Sequence, residues 1–292
     1  MIAMRNYKVE DKGEINLMGE SWDYLIVLDA CRYDYFEKLF PHYLRGKLRF
    51  AVSPASDTRD WIEKTFGGRY DGVVYISANP HINSAGVDIA NIGFDPREHF
   101  SEIVDVWDFG WNDELGTVPP EEVNNAAVAA RLIHRDKRLI IHYLQPHAPY
   151  LPPAEQCLVQ RVLRSHELGL CASFLTNRIT RAAWSALTAN PSLCNLVIKI
   201  RAEISGKARF RPIDIELRRR GKAGLLTAYQ NNLKRVLESL KELLNRLPPG
   251  KTVVTADHGE LLGENNEWGH RPNHHAPQLL AVPYLEIEKR KI

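Results

Sequence analysis

The sequence predicts an α/β fold built on a mostly parallel sheet with helices covering both faces. Three observations predict it. Apolar runs such as Tyr24-Leu25-Ile26-Val27-Leu28 and Thr252-Val253-Val254-Thr255-Ala256 lack polar alternation, the pattern of strands buried on both faces. Helix-period stretches separate these runs, so strand, helix and strand alternate along the chain. Acidic residues stand directly after two of the runs, Asp29 after Leu28 and Asp257 after Ala256. In open α/β sheets ligands bind at the carboxyl ends of strands, where these residues fall.

Taken in order, Tyr24 to Leu28 reads as a central strand and Tyr33 to Phe40 as a helix ended by Pro41. Leu48 to Val52 is a second strand. The polar run Ser53 to Thr58 turns into a helix over Arg59 to Phe66, closed by Gly67-Gly68. Gly72 to Ser77 is a third strand. Residues 79–120, rich in Gly, Pro, Asn and aromatics, predict a long irregular connection. Val123 to Ile133 is helical. Arg138 to Leu144 is a strand running into Gln145-Pro146-His147-Ala148-Pro149-Tyr150. From Tyr229 onward Leu233, Val236, Leu237, Leu240, Leu243, Leu244 and Leu247 recur three and four apart, one apolar stripe of a helix that Pro248-Pro249-Gly250 ends. The expectation is a single domain over 1–292, with 151–224 as an inserted or lid-like portion.

An apolar fraction of 44% over 292 residues excludes global disorder, and a net charge of +2 implies neither a nucleic-acid partner nor an acidic tail. Basic residues cluster between Lys199 and Lys222. They read either as a solvated face or as a surface for an anionic, lipid- or glycan-linked substrate. Cys31, Cys157, Cys171 and Cys194 form no CxxC pair and no evident disulfide framework, which favours a reducing compartment. The stretch Met1 to Glu20 lacks the apolar segment of a signal peptide, and no run has the length of a membrane span. The expected location is cytoplasmic, or peripheral to a membrane.

The chemistry centres on Asp257-His258-Gly259-Glu260, an acid and an imidazole side by side past a buried strand. Asp29 reads as a helix cap or as a metal ligand. Arg32, three residues on, is placed to fork a tetrahedral anion or to pair with Asp34. Thr58 sits where a loop becomes a helix. It is either an N-cap, a role open equally to Ser56 and Asp57, or a hydroxyl at an anion-binding helix start. A hydroxyl held by a divalent metal loses its proton near neutral pH and becomes a nucleophile. Asp29, Thr58, Asp257 and His258 together make an oxygen-rich set with one imidazole. That set suits one divalent ion, manganese or zinc first, with magnesium or calcium as alternatives. His147 and His270 are each candidates to protonate a leaving oxygen or to hold a non-bridging one.

Leu28-Asp29-Ala30-Cys31-Arg32-Tyr33-Asp34 resembles the Asp-x-x-Arg-x-Asp motif of sulfatase-like members of the alkaline phosphatase superfamily. Asp257-His258-Gly259-Glu260-Leu261-Leu262-Gly263-Glu264, Trp268-Gly269-His270 and Ala281-Val282-Pro283-Tyr284-Leu285 resemble that family's carboxyl-terminal metal motif. Pro146-His147-Ala148-Pro149-Tyr150 resembles its Pro-His-x-Pro-Tyr segment, and the matches follow family order from about residue 22 to 287. The resemblance implies a three-layer α/β/α sandwich with a metal at the strand ends. Asp29, Asp257 and His258 become metal ligands, and Thr58 becomes nucleophile and fourth ligand, with Ser56 fitting a looser alignment. Arg32, Ser56, His147 and His270 become substrate residues, the two histidines also acid residues. The implied activity is cleavage or transfer of phosphate esters through a phospho-enzyme. Two departures matter. The Cys/Ser-x-Pro-x-Arg sequence that yields formylglycine is missing, which argues against a sulfatase. The Asp-x-x-x-His pair of two-metal members is also missing: His142 and His147 frame the matching strand end, but no Asp lies there. A single metal is expected. The rivals are a sulfate-ester hydrolase, a non-catalytic metal- or anion-binding scaffold, and a purely structural role for all six positions.

Overall fold

The computed structural model of the protein describes residues 13–89, 91–151 and 212–288. In chain order the strands are β1 (Tyr24–Leu28), β2 (Lys47–Val52), β3 (Tyr70–Ser77), β4 (Phe100–Asp105), β5 (Arg138–Tyr143), β6 (Lys251–Ala256), β7 (Leu261–Leu262), β8 (Trp268–Gly269) and β9 (Ala281–Glu288). The helices are α1 (Tyr33–Leu39), α2 (Thr58–Thr65), α3 (Val106–Phe109), α4 (Pro120–Ile133), α5 (Pro212–Arg246) and α6 (Pro277–Leu280). The main sheet has the order β2-β9-β6-β1-β5-β3-β4, and β7 pairs with β8 in a separate ribbon. β9 is antiparallel to both its neighbours, and the other pairs in the main sheet are parallel.

Every residue of β1 is buried, as its unbroken apolar run requires of a central strand. β1 lies between β6 and β5 with Leu28 level with both Ala256 and Tyr143. That register makes Asp29 and Asp257 leave the sheet side by side.

Side-chain alternation along β5 separates the layers. Tyr143 points toward α4, donating to Asn124 Oδ1 at 2.6 Å, and Asn124 Nδ2 donates to Ser239 Oγ of α5 at 2.9 Å. His142 points the other way, its ring 5.9 Å from that of Trp61 on α2. Helices therefore cover both faces. The α5 stripe of Leu233, Val236, Leu237, Leu240 and Leu243 is fully buried. Truncating one of these leucines to alanine is expected to cost about 2–5 kcal/mol.

Differences from the sequence reading have local causes. Residues 79–120 contain β4 and the short α3 as well as irregular chain. β4 is an edge strand with mostly half-exposed or exposed residues, so it carries no apolar run. β9 enters the sheet despite Pro283, which has no N–H for the ladder. The helix expected from Tyr229 begins at Pro212 and passes through a non-helical Gly221 at φ 65° and ψ 177°. Part of the stretch expected as an insertion, 212–224, thus belongs to α5, and residues 152–211 lie outside the described residues.

Candidate active site

Two neighbouring groups of side chains form the site. The first is Asp29, Asp257 and His258, whose candidate ligand atoms all lie within 4.8 Å of one another. Asp29 follows β1, and Asp257 and His258 follow β6. Ala30, in the left-handed region at φ 58°, turns its N–H to Asp257 Oδ1 at 3.1 Å. A left-handed alanine is strained. It is held here on both sides, because the carbonyl of Ala30 accepts from Tyr229 Oη of α5 at 2.8 Å. His258 Nδ1 lies 2.7 Å from the carbonyl of Gly259, which directs Nε2 at Asp257 Oδ2 (3.4 Å) and Asp29 Oδ1 (3.8 Å). Gly259 packs on backbone: a Cβ there would meet the Gln278 carbonyl oxygen at 2.0 Å, so only glycine fits.

The structure separates the three polar residues at the start of α2. Asp57 is the N-cap, accepting from the Asp60 N–H at 2.9 Å. Ser56 ties down the segment after β8, donating to the Arg271 carbonyl at 2.8 Å and accepting from the His274 N–H at 3.1 Å. Thr58 does no capping. Its hydroxyl donates to Asp257 Oδ2 at 2.7 Å and lies 3.3 Å from His258 Nε2. It joins the first group, and Ser56 does not.

Of the two roles expected for Arg32, an anion fork or a pair with Asp34, the structure shows the pair. Its Nε and Nη2 fork onto Asp34 at 3.0 and 2.8 Å, and Nη1 donates to Glu264 Oε1 at 2.6 Å and to the Glu260 carbonyl at 3.2 Å. Buried and committed to two carboxylates, the guanidinium ties the β1–α1 turn to the segment after β6.

Electrostatics explain what the first group lacks. Burial raises the Asp29 carboxyl well above its ordinary range, with the Asp257 and Glu260 carboxylates adding to the effect. Asp257 resists its own burial and stays below the usual carboxylate range because of the imidazoles of His258 and His142 and the Thr58 hydrogen bond. Burial pulls the His258 imidazole down against the attraction of Asp257. Asn79 Nδ2 satisfies Asp29 Oδ2 at 3.0 Å, while Asp29 Oδ1 is buried with no hydrogen-bond partner. Two buried acids, a neutral-leaning imidazole, a hydroxyl and one orphaned carboxylate oxygen fit a divalent cation.

The second group is His147, Glu260 and His270, also with ligand atoms within 4.8 Å of one another. His270 Nδ1 lies 2.9 Å from Glu260 Oε1, and its ring is 4.2 Å from that of His258 and 5.2 Å from that of His147. Burial is the main cause that holds the His147 imidazole below its ordinary value. The His147 loop is joined to the first group through its N–H, which donates to the Asp29 carbonyl at 3.1 Å, and is steadied by Asn232 Nδ2 on the carbonyls of Pro146 and His147. Sequence reasoning missed Glu260, Asn79, Tyr229 and Asn232. Glu260 carried a signal, since it stands in the same four-residue motif as Asp257 and His258, but was given no role. The other three are polar residues on a loop or helix with no pattern to mark them.

No family profile and no curated protein matches the chain. Solved structures do. The C-terminal periplasmic domain of EcEptC from Escherichia coli, in complex with Zn, matches at a TM-score of 0.53 with 11% identity, over 94% of this chain and 75% of that one. The integral membrane lipooligosaccharide phosphoethanolamine transferase EptA from Neisseria meningitidis matches at 0.50 with 12% identity, over 93% of this chain. This chain spans 49% of EptA, about half its length. The lipoteichoic acid synthase LtaP from Listeria monocytogenes matches at 0.45 with 10% identity, over 90% of this chain and 64% of that one. The chain shares the fold of these EcEptC and EptA structures, a three-layer α/β sandwich with a mostly parallel sheet, as the resemblance implied.

The cytoplasmic expectation is corrected by the same comparison, because the matched EcEptC structure is a periplasmic domain and EptA an integral membrane protein. Among the described residues no helix is long and apolar enough to cross a membrane. The cysteine argument for a reducing compartment was weak for a physical reason. Cys31 is free and buried, so it is shielded in either compartment. The other three cysteines lie outside the described residues.

Proposed function

We propose that the chain is a metal-dependent enzyme that cleaves or transfers phosphate esters through a phospho-enzyme on Thr58. One observation carries this reading. The Thr58 hydroxyl lies 2.7 Å from Asp257 Oδ2 and 3.3 Å from His258 Nε2, inside a buried group whose Asp29 Oδ1 has no hydrogen-bond partner among the described residues. Asp29, Asp257, His258 and the Thr58 hydroxyl would hold one divalent ion, manganese or zinc. When bound, that ion lowers the hydroxyl pKa and neutralises charge on phosphate oxygens.

The chain's own residues supply the rest. Thr58 Oγ forms a bond to phosphorus in line with the ester oxygen, whose bond to phosphorus breaks. The Thr58 proton faces Asp257 Oδ2, its nearest acceptor. The positive end of α2 lies at Thr58 and favours the phosphate charge. His270 protonates the leaving oxygen, with Glu260 orienting its ring and balancing the charge as the proton moves. His147 holds a non-bridging oxygen. Water or an acceptor alcohol then attacks phosphorus and gives its proton to His270, the bond from phosphorus to Thr58 Oγ breaks, and Thr58 recovers its proton from Asp257. Arg32 and Ser56 act as ties that position the turns. The matched phosphoethanolamine transferases support phosphate-ester chemistry, and the periplasmic EcEptC domain supports a site of action outside the cytoplasm.

Protein refilled with manganese or zinc is to be assayed on p-nitrophenyl phosphate, p-nitrophenyl phenylphosphonate and bis(p-nitrophenyl) phosphate. The expected result is turnover of at least one, with phosphate trapped on the Thr58 peptide. Silence on all three by metal-replete protein favours the non-catalytic scaffold. Formylglycine in any Cys or Ser peptide by mass spectrometry revives the sulfatase.

A further inference from the structure

A second feature lies at the opposite end of the sheet. A cleft of about 480 Å³ opens at the amino-terminal ends of β1, β5 and β6, between the last turns of α4 and α5. The length of β1, roughly 16 Å at about 3.3 Å per residue, separates it from Asp29. Five cationic side chains line the cleft: Arg131, Arg135, Lys137, Arg138 and Arg246. Asp23 and Asp136 oppose them, but the Asp23 carboxylate already accepts the Lys251 N–H at 2.7 Å.

Three of the five cations, Arg131, Arg138 and Arg246, are held in place before any ligand arrives. Arg131 is 9% exposed and closes the end of α4, donating to the carbonyls of His134, Arg135 and Lys137 at 2.9, 2.9 and 2.7 Å. Its guanidinium stacks over Tyr24, and its Nε is buried with no hydrogen-bond partner. Arg138 stacks over Trp22, 4.2 Å from the ring centre, and Arg246 donates to Asn125 Oδ1 at 3.0 Å. A buried donor without an acceptor, among fixed guanidinium groups, calls for an anion. Leu132 lines the cleft, and its chain neighbour Ile133 lies just outside it. Leu132 and Ile133 are 67% and 74% exposed, the most exposed large aliphatics among the described residues.

We propose that this cleft binds an organic phosphate anion with an apolar portion. The phosphate lies against Arg131, Arg135 and Arg246, and the apolar part lies on Leu132 and Ile133. A soluble phosphate ester and a phospholipid headgroup share this chemistry, and the cleft volume suits either as a small-ligand site. The site stands apart from Thr58 and does not depend on the activity proposed there.

The test uses the full chain stripped of divalent metal, so that phosphate binding does not report on the Thr58 site. Inorganic pyrophosphate is titrated calorimetrically. Vesicles of phosphatidylglycerol in phosphatidylcholine are tested by co-sedimentation. Arg135 and Arg246 are exposed, so the R135E/R246E variant is expected to fold, which a circular dichroism melt checks; R135A/R246A is the milder companion. The expected result is saturable binding of at least one probe, weakened at least about tenfold in R135E/R246E and by raised salt. Vesicle binding lost in L132S/I133S identifies the lipid source, and pyrophosphate binding without vesicle binding identifies the soluble one. Failure of both probes to bind the wild type, or binding that the charge-reversed variant retains, overturns the proposal.

Discussion

Asp29, Thr58, Asp257 and His258 stand on strand ends and the first turn of a helix, and all four are buried. His147, Glu260 and His270, whose rings and carboxylate adjoin them, stand on loops, and only Glu260 is fully enclosed. The first group takes its geometry from sheet register: Leu28 level with Ala256 puts two carboxylates side by side. The second takes its geometry from side-chain ties, His270 on Glu260 and Asn232 on the His147 loop. Backbone register suits a rigid ion site, where ångström-scale error is costly. Loop-mounted imidazoles near solvent suit proton exchange with a substrate that must enter and leave.

Substitutions can break that division of labour. Asp257→Ala has the largest expected effect. It removes the acceptor of the Ala30 N–H, the Thr58 hydroxyl and the His258 N–H. Each buried donor left unpaired costs about 1–3 kcal/mol. Stoichiometric metal, by elemental analysis, and turnover should both vanish, and the melting temperature should fall. A D257A protein that keeps its ion would show that the first group is not the ion site.

Thr58→Ala comes next. Turnover should be abolished while the ion stays, held by Asp29, Asp257 and His258. Loss of the ion together with activity would mean that the hydroxyl is chiefly a ligand. Glu260→Gln should be milder, lowering kcat about a hundredfold through His270 while leaving ion content unchanged. Ion loss in E260Q would merge the two groups into one.

The smallest expected effect concerns stability against pH. His142, fully buried between the rings of Trp61 and Tyr75, is pushed by burial from its ordinary 6.5 down to about 4. Its folded-state pKa lies below the unfolded one, so the unfolded chain binds the extra proton between these values. Stability from this group is complete above pH 6.5 and is lost as pH falls toward 4, by about 3 kcal/mol in order of magnitude. His142→Phe should flatten the acid limb of the stability profile in that window. An unchanged limb in urea melts taken across the window would exclude His142 as its source.

How much was legible varied with the kind of interaction. Asp29, Asp257 and His258 could be read because an apolar run marks a buried strand and the next residue marks its end. Ser56, Asp57 and Thr58 could not be told apart, since each has a capping oxygen. A contact with Asp257, 199 residues away, distinguishes Thr58 from the other two. The two readings of Arg32, an anion fork or a pair with Asp34, stayed open in the sequence for the same reason. Its partner Glu264 lies 232 residues along the chain and cancels the charge that an anion would have met. The basic cleft escaped notice because its cations come from two distant stretches, 131–138 and Arg246, that only the fold brings together.

From the sequence alone came the alternation of β1, α1, β2, α2, β3, α4, β5, α5 and β6, the burial of the central strands and the acids at their ends. These follow from periodicity and residue type, which act over a few residues. Only the tertiary structure decided which hydroxyl faces the carboxylates, which guanidinium is spent within the protein and which histidine pairs with Glu260. Those choices depend on groups that strand pairing and helix packing bring together from distant positions, and no local pattern encodes which of several competent side chains will meet them.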